Sequence, residues 1–376
     1  HYRVEMQPVV PKASAGTVEF QRYVAPQLIV PQGGGVGVQV SINRQDFGGP
    51  VNFKSDDLPA GVSIEVPQMW RGGSTMPLVL YAAADAPVAG KFSRITTFLE
   101  DPNQPNLKVE GPLMQNILMV LGQNQQTVWN EEQKRMAVVV TQAAPFKVKI
   151  EPPKTPIVRG GSLNLKVVAE RVGDFKAPIQ VLFLQNPPGI SSSGSVSIPE
   201  GQNEAIIPVT CNGDAPVGDW PIAIRCIATV GNGPIESCTP FIPLKIEEQY
   251  MTLEFAQAAV EQGKEVPVFV KVTKRKDFEG EATATLYGLP ANTTAEPVKV
   301  TKDTAEFQFL VKAAPNAPPG NNQSLFAQIL IPENGDNVVH NLGTGRLRID
   351  TPPPPKPNEP PMPTPAPMPE PMPMAQ

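Results

Sequence analysis

Histidine is nearly absent from this 376-residue chain, which has only His1 and His340. A hydrolytic triad needs a histidine as its shared base. His1 is terminal, and His340 stands in the polar hairpin ENGDNVVHNLG, where its ordinary reading is an exposed or half-buried strand histidine. Cysteine is scarce as well, with Cys211, Cys226 and Cys238 confined to the middle of the chain; three are too few for a disulfide framework. So few histidines and cysteines also exclude a zinc site. No HExxH, CxxC, GxSxG, P-loop or post-strand GxGxxG occurs, so the motifs of the commonest hydrolases and nucleotide-binding enzymes are missing. Apolar runs are short: residues 117–121 form the longest near the middle, against the ~20 residues needed to cross a bilayer. A net charge of −5, from 36 acidic and 31 basic residues, gives no general attraction to nucleic acid or to an anionic membrane. The expectation is a non-catalytic chain without a cofactor, a nucleic-acid partner or a transmembrane segment.

Proline is what the sequence has in excess, with 46 residues, or roughly 12% against the usual ~5%. With 6% aromatic and 18% charged residues, this composition suits strands, turns and linkers better than helices. The length predicts two to three domains.

Self-similarity makes that number three. Each unit opens on a glycine-marked turn and a strictly alternating strand. Val36, Val38, Val40 and Ile42 share one face in the first; Leu163, Leu165, Val167 and Ala169 in the second; Val266, Val268, Val270 and Val272 in the third. Alternation of this kind marks a strand with one buried and one wet face. A basic residue and an Asp-Phe pair follow in RQDFGGPV, RVGDFKAPI and KRKDFEGEA. A turn written LPAG, NPPG or LPAN comes next, closing on Gly61, Gly189 or Asn292, residues that tolerate positive φ. Each unit then carries an Asp/Asn-Ala-Pro phrase, centred on Asp85, Asp214 and Asn316. A metal ligand or catalytic acid would not readily survive the exchange of Asp for Asn, whereas either side chain can initiate a turn before a proline. The phrase is read as a corner.

Short strands punctuated by Gly and Pro, with no long segment of helical period, predict an all-β chain: three tandem immunoglobulin-like antiparallel β-sandwiches followed by an extended Pro-rich tail. The expected limits are residues 1–16 for the end of an upstream segment, 17–145, 146–247 and 248–350 for the three sandwiches, and 351–376 for the tail. Within residues 1–16, HYRVEMQP reads as a last strand of something upstream. The first unit is longer than the others by some 25 residues, around the polar stretch GQNQQTVWNEEQKR, which predicts an enlarged last hairpin. The short junctions predict end-to-end stacking with limited freedom. Half of residues 351–376 are proline, a composition that favours polyproline II.

The order strand, basic residue, Asp-Phe-x-Gly-Pro, Leu-Pro-Ala-Gly and Ala-Asp-Ala-Pro-x-Gly resembles the tandem immunoglobulin-like modules of large secreted or surface-anchored bacterial proteins, modules that often follow a pre-peptidase C-terminal type domain. The resemblance spans about Thr17 to Asp350 and is strongest in the first unit; the third departs from it at Glu281, Asn292 and Asn316. It implies extracytoplasmic display and interaction, on the cell surface, secreted or periplasmic.

Few residues remain as candidates for chemistry. Calcium is the most plausible metal for such arrays, with Asp56 and Asp57 on one loop and Glu100 and Asp101 on another as ligands; the alternative is ordinary solvated acids. Trp70 and Trp129 are candidates for a glycan or partner platform, against the reading that each covers a core edge, whereas Trp220 reads as packed at a sandwich end. Cys226 and Cys238 stand at equal distance from Asn232, the centre of the turn at residues 231–233. In-register pairing about that centre predicts that they face each other and could form a cross-strand disulfide, leaving Cys211 as a small buried hydrophobe.

Two functions are compatible with these features. One is a structural, adhesion or scaffold protein of the cell envelope, contacting other envelope or matrix proteins. The other is a glycan-binding accessory region of a larger secreted hydrolase.

Overall fold

Alternating burial is carried out residue by residue. In the computed structural model, which describes residues 9–18, 27–70 and 73–353, the strand Glu306–Ala313 is exposed and buried in turn along all its length. Phe146–Ile150 does the same in the opposite phase. The alternating faces anticipated from sequence are the core faces: Val36, Val40 and Ile42 are buried, as are Leu165, Val167 and Ala169, and Val268 and Val270.

The chain is all-β and lays its strands down in one order three times. In the middle unit Phe146–Ile150, Gly161–Arg171, Glu204–Cys211 and Ile190–Ser192 form one antiparallel layer. Opposite it, Ile157–Val158 runs parallel to Ile242–Glu247, which pairs with Gly218–Ile222, while Ile224–Val230 carries Ile179–Phe183 on its edge. The third unit repeats this with Met251–Phe255, Glu265–Lys274, Glu306–Ala313 and Thr293–Ala295 facing Ala258–Glu261, Asp336–Asp350, Gly320–Glu333 and Ala282–Tyr287. In each, the opening strand pair divides between the layers and contributes the parallel pairing, an immunoglobulin-like arrangement. The first unit follows it, with Gln27–Pro31 parallel to Met136–Thr141 and Gly90–Ser93 beside that.

Each sandwich has its own apolar interior. Leu78, Leu80 and Met136 anchor the first; Phe146, Ile179 and Ile207 the second; Val268, Phe309 and Ile329 the third. Residues 12–16, assigned from sequence to an upstream segment, form most of the strand Lys12–Thr17, which pairs with Gly35–Gln45; its Ala13 and Ala15 are buried. The additional residues of the first unit include the antiparallel pair Glu110–Leu121 and Thr127–Gln133. The former also runs beside Thr96–Leu99 and, in parallel, beside Lys12–Thr17, placing Leu113 in the first core. The strand anticipated at the start of the chain and the Pro-rich residues from 354 onward lie outside the described residues.

Candidate functional site

The threefold Asp/Asn-Ala-Pro phrase is built into the same corner each time. The amide of Ala86 donates to Ala83 O at 3.0 Å, that of Ala215 to Asn212 O at 3.3 Å and that of Ala317 to Ala314 O at 2.9 Å. Asp85, Asp214 and Asn316 sit exposed on the turns, and the following alanines are buried. The Leu-Pro-Ala-Gly turn packs onto this corner, with Gly61 O, Gly189 O and Asn292 O accepting from the amides of Ala83, Asn212 and Ala314. Gly61 and Gly189 hold φ of 76° and 75°, and Asn292 a φ of 59°, so the exchange of Gly for Asn keeps a left-handed turn. The basic residue before Asp-Phe is structural too. Arg44 donates to Gly49 O, Gly73 O and Met69 Sδ, and Arg171 to Gln202 O, Ala177 O and Pro199 O.

Three of the four acids considered for calcium, Asp57, Glu100 and Asp101, are engaged by protein donors. Burial pushes the Asp57 carboxyl up, but hydrogen bonds from the Arg94 amide at 2.7 Å, Ser55 Oγ at 3.2 Å and Arg135 at 2.9 Å outweigh it and hold the group below the usual carboxylate range. Asp56 is exposed. Glu100 accepts from Asn52 Nδ2 at 2.7 Å, and Asp101 from the Asn103 amide and from Gln104 Nε2. Among the described residues no three His, Cys, Asp or Glu side chains converge on a point where a metal could sit.

The cysteine pairing is corrected by register. The hairpin closes on the two residues Gly231 and Asn232, so Cys226 stands opposite Ser237 and Cys238 opposite Arg225. A slip of one residue flips a strand's side chains to the other face. Cys226 therefore lies in the second core, whereas Cys238 joins Val79, Leu184 and Ala223 in a separate cluster at the boundary with the first unit. All three cysteines are free and buried. Burial pushes the thiol of Cys211 up to about 11 and that of Cys238 up to about 12, and raises that of Cys226 as well.

Both tryptophans expected at the surface are there, at 47% exposure for Trp70 and 55% for Trp129. Trp129 lies on the added hairpin beside the exposed Val128. Trp70 has a partner that sequence reasoning missed: its ring meets Trp220 of the second unit edge to face, with centroids 6.3 Å apart. Trp220 is half-buried against the second core and donates to Pro216 O at 2.9 Å. The two indoles flank a cleft of about 320 Å³ between the units, walled by Pro67, Met69, Met76 and Pro187.

The other polar features gather where units meet. Between the first and second, Cys238 pairs with Gly35, Tyr81 Oη donates to Thr239 O at 2.6 Å and Gln185 Nε2 reaches Thr75 at 3.3 Å. Burial raises the Tyr81 hydroxyl far above its ordinary pKa. A wider cleft of about 730 Å³ opens on this boundary between Gln32–Gly34 and Lys147–Lys149. Between the second and third, Gly161 and Ser162 pair with His340 and Val339, the Asn341 amide donates to Gly160 O at 2.9 Å and Arg159 meets Glu248 at 2.6 Å.

His340 belongs to this second junction and, contrary to the expectation of an exposed or half-buried residue, is fully buried. Its Nε2 accepts from the Tyr250 amide at 3.2 Å, which leaves the imidazole proton on Nδ1, where it has no partner. Burial lowers its pKa to about 4. Its surroundings are structural: the Tyr250 ring packs edge to face at 5.6 Å, and the Tyr250 hydroxyl donates to Glu333 and accepts from Lys276. Only the chain's return through the Asp336–Asp350 strand to the second unit reveals that burial.

No family model matches the sequence, and no curated protein does. Solved structures similar to it include domains 4–9 of the surface layer protein SbsC (11% identity, 92% of this chain and 66% of that one, TM-score 0.23). Others are the D0–D1 domain of intimin (10%, 54% and 97%, TM-score 0.20) and fibronectin(III)-like modules of Clostridium thermocellum CbhA (12%, 55% and 95%, TM-score 0.19).

Proposed function

We propose that the chain is a non-catalytic scaffold of the cell envelope, an extracytoplasmic array of immunoglobulin-like modules that presents its surfaces to other envelope or matrix proteins. The observation that carries this reading is the construction of the junctions. At both boundaries neighbouring units share backbone pairing, Cys238 with Gly35 and Gly161 with His340, and each boundary adds side-chain bonds from Tyr81 or Arg159. Joints of this kind suit an array that holds its modules in a set order and spacing better than independent modules on tethers. The residues repeated from unit to unit also serve corners and staples, which leaves the variable strand faces and the added hairpin as contact surfaces. Surface proteolysis of intact source cells tests the location, and cross-linking in those cells, followed by mass spectrometry, tests the role. Protection of the chain together with an exclusively cytoplasmic set of adducts would overturn the reading.

The half-exposure of Trp70 and Trp129 favours a second reading, a glycan-binding accessory region of a larger secreted hydrolase. A glycan array probed with the intact chain and with Trp70→Ala and Trp129→Ala variants tests it, and an array without signal for the intact chain rejects it.

A further inference from the structure

We propose that the free edge of the strand Phe146–Ile150, in the cleft between the first and second units, takes up an extended acidic segment of a partner protein by strand addition. The inference deepens the scaffold reading, on which it rests for the setting of that partner.

The three units treat one equivalent edge in three ways. Lys12–Thr17, Phe146–Ile150 and Met251–Phe255 are matching opening strands, each paired on one side with the long strand that carries Arg44, Arg171 or Lys274. In the first unit the other side is filled. Ala15 and Gly16 pair in parallel with Leu113 and Met114 of the added strand, and a Cβ on Gly111 would run into Ala13 O. In the third unit that side is covered, because Gly343 lies so close that a Cβ there would stand 3.2 Å from Leu253 O and strike the Phe255 ring. In the second unit nothing among the described residues pairs with it. It opens on the cleft of about 730 Å³ whose lining also includes Gln32, Gly34 and Ser237.

The phase of the backbone shows which groups are spare. The amide of Val172 donates to Pro145 O and that of Glu151 to Lys166 O, both at 2.9 Å, so residues 145, 147, 149 and 151 bond toward the Gly161–Arg171 strand. Antiparallel bonding alternates, and the N–H and C=O groups of Phe146, Val148 and Ile150 therefore point to the free side. Counted from Arg44 and Arg171, Val148 holds the position of Ala15, the residue that meets Leu113 in the first unit. Such an edge is completed by a strand whose own backbone supplies the missing donors and acceptors.

The chemistry of the occupant follows from the side chains that flank the edge. Lys147 and Lys149 are exposed, and neither has an ion-pair partner among the described residues. Glu170 stands opposite Lys147 in the ladder without a salt bridge to it, and Arg171 is committed to three carbonyls. The outer rim is therefore cationic. A strand added here sets every second side chain beside these lysines, at about 5 Å between Cβ atoms, and carboxylates at those positions meet both charges. The remaining lining, with Pro31, Tyr81 and Pro240, suits apolar side chains at the alternate positions. A second copy's matching edge is disfavoured, because lysine would face lysine.

Fluorescence anisotropy of a labelled, end-blocked peptide of alternating glutamate and valine, titrated with the full chain at low salt, tests this, together with amide hydrogen exchange. The expected result is saturable binding that weakens as salt rises, with slower exchange over residues 145–151 and no change over Lys12–Thr17 or Met251–Phe255. Lys147→Glu combined with Lys149→Glu, both at exposed positions, should weaken binding at least about tenfold. Val148→Pro removes a donor on the free side alone, where an edge strand tolerates proline, and should abolish binding with an unchanged circular dichroism spectrum. Should that variant not fold, the lysine variant and the exchange pattern still decide. No saturable binding by the parent chain overturns the proposal. Binding that survives Val148→Pro or the lysine reversals does so too, as does equal binding of a peptide of alternating glutamate and proline, which carries the charge but cannot pair as a strand. Self-association of the chain alone, removed by Val148→Pro, would overturn the choice of partner and assign the edge to a second copy. None of these results touches the scaffold reading, which stands or falls on surface exposure and cross-linking in cells.

Discussion

The side-chain amide of Gln32 donates to the carbonyl oxygen of Ala86 at 2.6 Å. Arg159 makes the same bond to Ala215 O at 2.7 Å and Gln262 to Ala317 O at 2.6 Å. These three residues open their sandwiches and the three alanines close the Asp/Asn-Ala-Pro corners, so each bond ties an entry turn to a corner far along the chain. The function of the repeated phrase lies in its backbone, and its exposed Asx side chain is incidental.

Substitutions at that corner should separate accordingly. Asp85→Asn is expected to change stability by less than about 0.5 kcal/mol, as for other exposed positions. Gly61→Ala forces a Cβ to 2.8 Å from Ala86 Cβ at a φ of 76° and is expected to cost about 2 kcal/mol or more. Urea denaturation of both variants checks the contrast, and equal costs would mean that the Asp85 side chain bears weight.

The cysteines give a chemical readout of register. Intact-mass measurement after mild air oxidation should show three free thiols, and a thiol reagent should label none until denaturant is added, because all three are buried and their pKa values are raised. A loss of two mass units with a Cys226–Cys238 cross-linked peptide would restore the in-register hairpin.

That hairpin marks where legibility ended. Strand faces were readable because burial on one side imposes a period of two, and Leu165, Val167 and Ala169 need no distant information to be assigned inward. The Asp-to-Asn exchange at residue 316 was enough to identify a turn. Register was not readable, since Gly231, Asn232 and Gly233 allow a turn centred on either two or three residues, and one residue decides which face Cys238 takes. Contacts between units were equally silent. Nothing local to Trp70 announces Trp220, and nothing local to His340 announces Tyr250 or Gly161.

The junctions should respond to loss of single bonds. Tyr81→Phe removes the hydroxyl that reaches Thr239 O and is expected to cost about 1 kcal/mol. Arg159→Ala removes the bonds to Ala215 O and Glu248; the ion pair is partly exposed and contributes little, so about 1–2 kcal/mol is expected, chiefly from the orphaned carbonyl. Calorimetry checks both, and the Arg159→Ala trace should also show the third unit melting more independently of the second.

His340 should make stability depend on pH in a defined window. Its folded pKa of about 4 lies below the ordinary 6.5, so between these values the unfolded chain binds a proton that the folded chain refuses, and stability rises with pH. The contribution is complete above about pH 6.5 and is lost as the pH falls toward 4, reaching roughly 3 kcal/mol at about 1.4 kcal/mol per unit. The cause is burial against Tyr250 with Nε2 occupied by its amide, so protonation would place a charge where no acid answers it. His340→Gln keeps an acceptor near the Tyr250 amide and does not titrate. Urea denaturation from about pH 7.5 to 4.5 should therefore show a shallower decline for the variant than for the parent, the difference approaching one proton in the middle of the window. Parallel curves would show that His340 takes up its proton without opening the junction, and the buried, neutral imidazole would have to be given up.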